Sequence, residues 1–95
     1  MKKHYNITVY GRVQGVLFRN AARIEAKKLE LHGFVKNLDD GSIYIEIEGD
    51  EKLVGDFIAW CRKGPKHAEI DKIEIVPHPV KNFSDFRLMG GTSTY

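Results

Sequence analysis

One cysteine, Cys61, stands in a chain of 95 residues, so an internal disulfide is excluded. No apolar run approaches the length of a membrane span. The charged start Met1-Lys2-Lys3 is followed by no secretory apolar segment. The chain is therefore expected to be cytoplasmic, with no membrane partner. Net charge is also scarce: 15 Lys and Arg against 13 Asp and Glu leave +2. That is too little to make nucleic acid a default partner. The four histidines, His4, His32, His67 and His78, are scattered, and there is no cysteine pair. No metal site and no cofactor are expected from such spacing. No Ser/His/Asp or Cys/His set is brought together by the sequence either. Linkers, repeats and low-complexity stretches are missing, so residues 1–95 read as a single domain, expected to be a monomer.

What is present suffices for a core. Apolar residues make up 42% of the chain, too many for a disordered polypeptide. Tyr5, Ile7 and Val9 alternate with Asn6, Thr8 and Tyr10, the period of a half-buried strand. From Phe18 to Leu31 no Gly or Pro intervenes, and Ala, Glu, Lys and Leu favour a helix. Its apolar arc is Leu17, Phe18, Ala21, Ala22, Ile24 and Leu29. Glu25 falls at the margin of that arc, where Lys28 can pair with it. A second strand is expected near Gly33 to Leu38, then a hairpin turn at Asp40-Gly41. A third follows from Ser42 to Glu48, alternating Ile43, Ile45 and Ile47 with Tyr44, Glu46 and Glu48. Asp50 can cap a second helix over about Glu51 to Lys63, which Gly64-Pro65 stops. Cys61 belongs to its buried face with Leu53, Val54, Phe57 and Ile58. A fourth strand spans about Ile70 to Val76, a short fifth is possible around Phe83 to Leu88, and the tail from Gly90 to Tyr95 looks frayed.

This order of elements is that of an α+β, ferredoxin-like split β-α-β sandwich: an antiparallel sheet of four to five strands with two helices on one face. In that topology strands one and two are parallel, separated by strand three, and their carboxyl ends lie together. The stretch Gly11 to Leu17 leaves the first strand there, and Asn37 sits near the end of the second.

The connection Gly11-Arg12-Val13-Gln14-Gly15-Val16-Leu17-Phe18-Arg19 carries the most chemistry. Two glycines at a strand-to-helix junction let backbone N–H groups converge, and the helix N-terminus adds its own. Arg12 and Arg19 add full charges. The spacing is neither the nucleotide P-loop, lacking Gly-Lys-Ser/Thr, nor the dinucleotide fingerprint, lacking a third glycine. From residue types alone, an anion cradle and a plain turn with solvated arginines both stay open. Asn37 is similarly two-sided. It is either a turn residue helping the hairpin or an amide whose donor and acceptor orient a water.

The string Gly-Arg-Val-Gln-Gly-Val-x-Phe-Arg resembles the loop of the acylphosphatase family. Gly33-Phe34-Val35-Lys36-Asn37 followed by Asp39-Asp40-Gly41 resembles that family's second motif, with Phe34 replacing the usual Trp and Leu38 standing where some members carry Thr. The similarity runs from about His4 to Leu88. It implies metal-independent hydrolysis of an acyl phosphate to carboxylate and inorganic phosphate, with phosphate or sulfate as a competing anion. It further implies that the loop residues Gln14, Gly15, Val16, Leu17 and Phe18, with Arg19, hold the phosphoryl group. Arg19 and Asn37 are the implied catalytic residues, Asn37 placing the water; Arg12 is expected at the rim. A non-catalytic anion-binding domain and an RNA-binding module of the same topology are the rival readings. Tyr10 and Tyr44 make a poor platform for stacking bases, and Glu46 and Glu48 beside them would repel a phosphate backbone.

Overall fold

A computed structural model describes residues 1–90. Five strands and two helices follow one another as β1 (Lys2–Arg12), α1 (Phe18–Lys28), β2 (His32–Asn37), β3 (Ile43–Asp50), α2 (Glu51–Lys63), β4 (Glu69–His78) and β5 (Phe86–Leu88). The sheet order is β4-β1-β3-β2-β5. β1 lies antiparallel between β3 and β4, and β3 antiparallel to β2. β1 and β2 are therefore parallel, as the order of elements requires.

The expectation of a wholly antiparallel sheet is corrected at one edge, because β5 pairs parallel with β2. The cause is topological. β4 and β5 occupy opposite edges, so the chain between them must cross the sheet, and it arrives at β2 running the same way. The parallel pairing is joined by the bonds Gly33 N–H to the Asp85 carbonyl, 2.9 Å, and Met89 N–H to the Val35 carbonyl, 2.8 Å. The tail read as frayed lies, beyond Gly90, outside the described residues.

The core sits between the sheet and the helices. Ile7, Val9, Val35, Ile43, Ile45 and Ile47 face Phe18, Ala22, Ala26, Val54, Phe57 and Cys61, all buried. Burying one such aliphatic or aromatic side chain is worth about 1.5–3 kcal/mol. Burial raises the Cys61 thiol pKa, which suppresses the thiolate and leaves an inert core residue. In α1 the buried stripe is Phe18, Ala22 and Ala26. Leu17 and Ile24 of the expected arc are instead 77% and 56% exposed. The helix begins at Phe18, which sets Leu17 outside it and turns Ile24 away from the sheet. Glu25 pairs with Lys28 at 3.4 Å, as its place on the arc's margin suggested. The helix ends three residues before Leu31. Glu30, at φ 58°, turns the chain so that Leu31 enters the core.

The sheet's other face is not open. Between β4 and β5 the chain crosses it near Glu46 and Glu48, both of which are buried. Glu48 accepts the N–H groups of Lys81 at 2.9 Å and Phe83 at 2.6 Å, and meets His4 Nδ1 at 2.8 Å. Glu46 accepts Lys81 Nζ at 2.9 Å and the Tyr44 hydroxyl at 2.7 Å, and lies 3.1 Å from His4 Nε2. Burial by itself would push both carboxyls up. The bonds donated to them outweigh it, so both are held below the ordinary carboxylate range. A depressed folded pKa stabilises the protein above the unfolded value, about 4.3 for Glu. That stability is lost as pH falls through the folded values. The denaturation midpoint is therefore expected to hold near neutrality and to drop in acid. Glu48→Gln should flatten the drop; an equally steep fall in that variant would mean that other groups govern acid unfolding.

Candidate active site

Four features of the chain build one cleft at the carboxyl end of β1 and β2. The first is the path of the loop. A bulge between Tyr10 and Gly11 shifts the register of β1 on β4. A Cβ at residue 11 would lie 2.0 Å from the Glu69 carbonyl oxygen, so only glycine permits the bulge. Val13 then drops into the core. Gly15 at φ 78° and Leu17 at φ 62° take left-handed conformations, while Val16 between them does not. Such alternation turns successive N–H groups to one side, the geometry of an anion-binding nest. The position of Gly15 is open, so its backbone angle, not crowding by the protein, is what calls for glycine.

The second feature fastens the loop. Gln14 Nε2 donates to the Leu38 carbonyl at 2.8 Å and to the Ser42 carbonyl at 2.9 Å. The side chain of Gln14 thus ties the loop to the β2–β3 hairpin, and its backbone is left to the cleft.

The third is the start of α1. The first N–H groups of any helix lack an intrahelical acceptor. In α2 the carboxylate of Asp50 accepts the Lys52 N–H at 3.1 Å, and Glu51 adds negative charge to the first turn. At α1 there is neither: Leu17 gives no side-chain cap and the first turn holds no acid. Within one chain, then, one helix start is neutralised by its own carboxylates and the other faces the cleft bare.

The fourth is a pair of side chains. Arg19, in the uncapped first turn, donates from Nη1 to the Met89 carbonyl at 2.6 Å. Among the described residues its fork has no carboxylate partner. A cation is disfavoured at this end of a helix, and a neutral carbonyl orients it without discharging it. Asn37 closes β2, and its Oδ1 is buried with no hydrogen-bond partner among the described residues. The hairpin does not use it. Asp40 accepts from the backbone and hydroxyl of Ser42, and Leu38 exchanges backbone bonds with Ser42 and Gly41. Holding a buried acceptor unpaired costs about 1–3 kcal/mol, which a donor entering the cleft would recover.

The cleft has a volume of about 250 Å³, and its walls include Gln14, Gly15, Leu17, Phe18, Arg19 and Asn37. Val16 is not among its walls; its side chain packs against the core. Arg12 is exposed, faces Glu69 in the β1–β4 register and is not among the walls of the cleft. Asn20, Leu88 and the Met89 carbonyl were not anticipated. Met89 acts through a backbone oxygen, a group every residue has, so no motif could have marked it. Among the described residues no group of three or more His, Cys, Asp or Glu is placed to hold a metal ion.

The family model for acylphosphatase matches residues 5–88. An acylphosphatase of Pseudomonas aeruginosa is 45% identical over 82% of this chain and 86% of its own length. One from Thermococcus kodakarensis is 39% identical over 90% of this chain and 93% of its own. In structure, the acylphosphatase of Bacillus subtilis superposes with a TM-score of 0.89 at 34% identity, covering 94% of this chain and 99% of that one. Loop, second motif, topology and matched length agree, and the chain belongs to the acylphosphatase family.

Proposed function

We propose that this protein hydrolyses the carboxyl–phosphate bond of acyl phosphates, giving a carboxylate and inorganic phosphate. The observation that carries the reading is the bare start of α1, joined in one cleft by the nest at Gly15 and Leu17, by Arg19 and by Asn37. Backbone N–H groups from Gln14 to Arg19 take the phosphoryl oxygens, and the guanidinium of Arg19 neutralises the charge that spreads over them in transfer. The amide of Asn37 holds a water in line with the departing carboxylate. A mixed anhydride has a good leaving group, so no protein base is needed: a phosphate oxygen of the substrate takes the water's proton. The attacking water becomes the fourth oxygen of phosphate as the acyl oxygen leaves with the bonding pair.

No step in this scheme calls on a metal or cofactor. Inorganic phosphate or sulfate would compete for the cradle, a single copy of the chain would suffice, and a cytoplasmic location fits. An RNA-binding role is less well supported, because residues 79–83 cross the sheet face it would use and both carboxylates there are buried. The test is turnover of acetyl phosphate in excess chelator. Undiminished hydrolysis, competitively inhibited by phosphate, with phosphate monoesters turned over poorly, is the expected result. Complete loss in chelator, restored by a divalent cation, would overturn the mechanism.

A further inference from the structure

Leu17 suits its position badly on three counts. As the residue capping α1 it stands where Ser, Thr, Asp or Asn would bond the first amides, and its side chain makes no such bond. Its backbone, at φ 62° and ψ 25°, lies in the left-handed region that penalises any residue with a Cβ. And it is a large apolar side chain left 77% exposed. The nest needs this backbone conformation but not the leucine. Asparagine or glycine would adopt it with less strain. Backbone strain at a ligand cleft asks for a reason in the ligand.

The cleft supplies one. Leu17 lies at its wall together with Ile43 and Leu88. The volume of about 250 Å³ is below the roughly 300–1,000 Å³ of sites that enclose a drug-sized ligand. With the phosphoryl group seated at the loop amides and Arg19, the acyl chain lies along the remaining wall and toward the opening of the cleft. Among the described residues that line the cleft, the one whose side chain is both large and apolar and exposed is Leu17.

We infer that Leu17 is a specificity-determining contact for the acyl half of the substrate, packing against its carbon chain and favouring acyl phosphates of three or more carbons over acetyl phosphate. This rests on the hydrolysis proposed above and extends it from the phosphoryl group, which every acyl phosphate shares, to the part that differs among them.

The test compares kcat/KM for butyryl phosphate and acetyl phosphate, whose leaving carboxylates are of nearly equal basicity. The wild type is expected to favour butyryl phosphate by about three- to tenfold, the worth of two methylenes partly removed from water. In Leu17→Asn and Leu17→Gly that ratio should fall to near one, and in Leu17→Met it should persist. Any change that a variant causes through the N–H of residue 17 affects both substrates and cancels in the ratio. Turnover of both substrates with the same ratio in all four proteins would overturn the role of Leu17 alone. Turnover of neither by the wild type would overturn the hydrolysis and this inference with it.

Discussion

Arg19→Ala is expected to lower kcat by about 10²–10⁵, the range for removing a cationic donor from a transferring phosphoryl group. Three observations set the size of the effect. The side chain stands in a helix turn with no acid to neutralise it. Its bond to the Met89 carbonyl, at 2.6 Å, aims the fork without cancelling its charge. And it lines the same cleft as the loop amides. Inhibition by phosphate should weaken in the same variant, since in the proposed mechanism the fork grips product and transition state alike. Arg19→Lys should recover little, because an ammonium is a point charge that cannot make two parallel bonds. Arg12→Ala serves as the control. Its side chain is exposed and outside the cleft, so its effect should stay within about tenfold, an outer-charge effect on encounter and not on chemistry. Equal losses in the two alanine variants would refute the assignment of Arg19.

Asn37→Ala should fail differently. The expected loss is about 10² or more in kcat, with the phosphate inhibition constant close to that of the wild type, because in the proposed mechanism the amide acts on the water and not on the anion. Stability should not fall by more than about 1 kcal/mol. Among the described residues Asn37 Oδ1 has no partner to lose, and the hairpin after it is held by Asp40 and Ser42. Asn37→Asp should be poor as well: a carboxylate has no N–H to donate and repels the phosphoryl group. The three quantities are to be read on one purified preparation of each variant. Near-normal kcat in Asn37→Ala, or loss of activity only through unfolding, would return Asn37 to a structural role.

The two residues were legible for different reasons. Arg19 stands out because a cation at a helix start is a local electrostatic conflict, visible wherever the helix start is visible. Asn37 gains meaning from topology and from its place in the second motif. Strand order brings it to the sheet end where β1 finishes, and the succession of strand, helix, strand, strand, helix, strand had already implied that order. What the sequence hid was set by the chain between β4 and β5. Glu46 and Glu48 alternate with buried isoleucines and so read as solvent-facing. They are buried because a segment with no periodicity of its own, residues 79–83, lies over them. The direction of β5 and the Met89 carbonyl depend on that same crossing. Leu17 was read as part of a helix's apolar arc because a sequence does not print the backbone angle that places it outside the helix.

The order of strands also decides how the molecule meets copies of itself. β4 and β5 are the outer strands, and the outer side of such a strand is a ready template for intermolecular pairing and fibril growth. β5 offers only three residues, too short a ladder to recruit a neighbour. β4 offers ten, but Asp71, Lys72 and Glu74 are exposed along it, and Pro77 lacks the N–H that a further ladder would need. The charges and the proline along β4 work against such pairing, at positions outside the walls of the cleft.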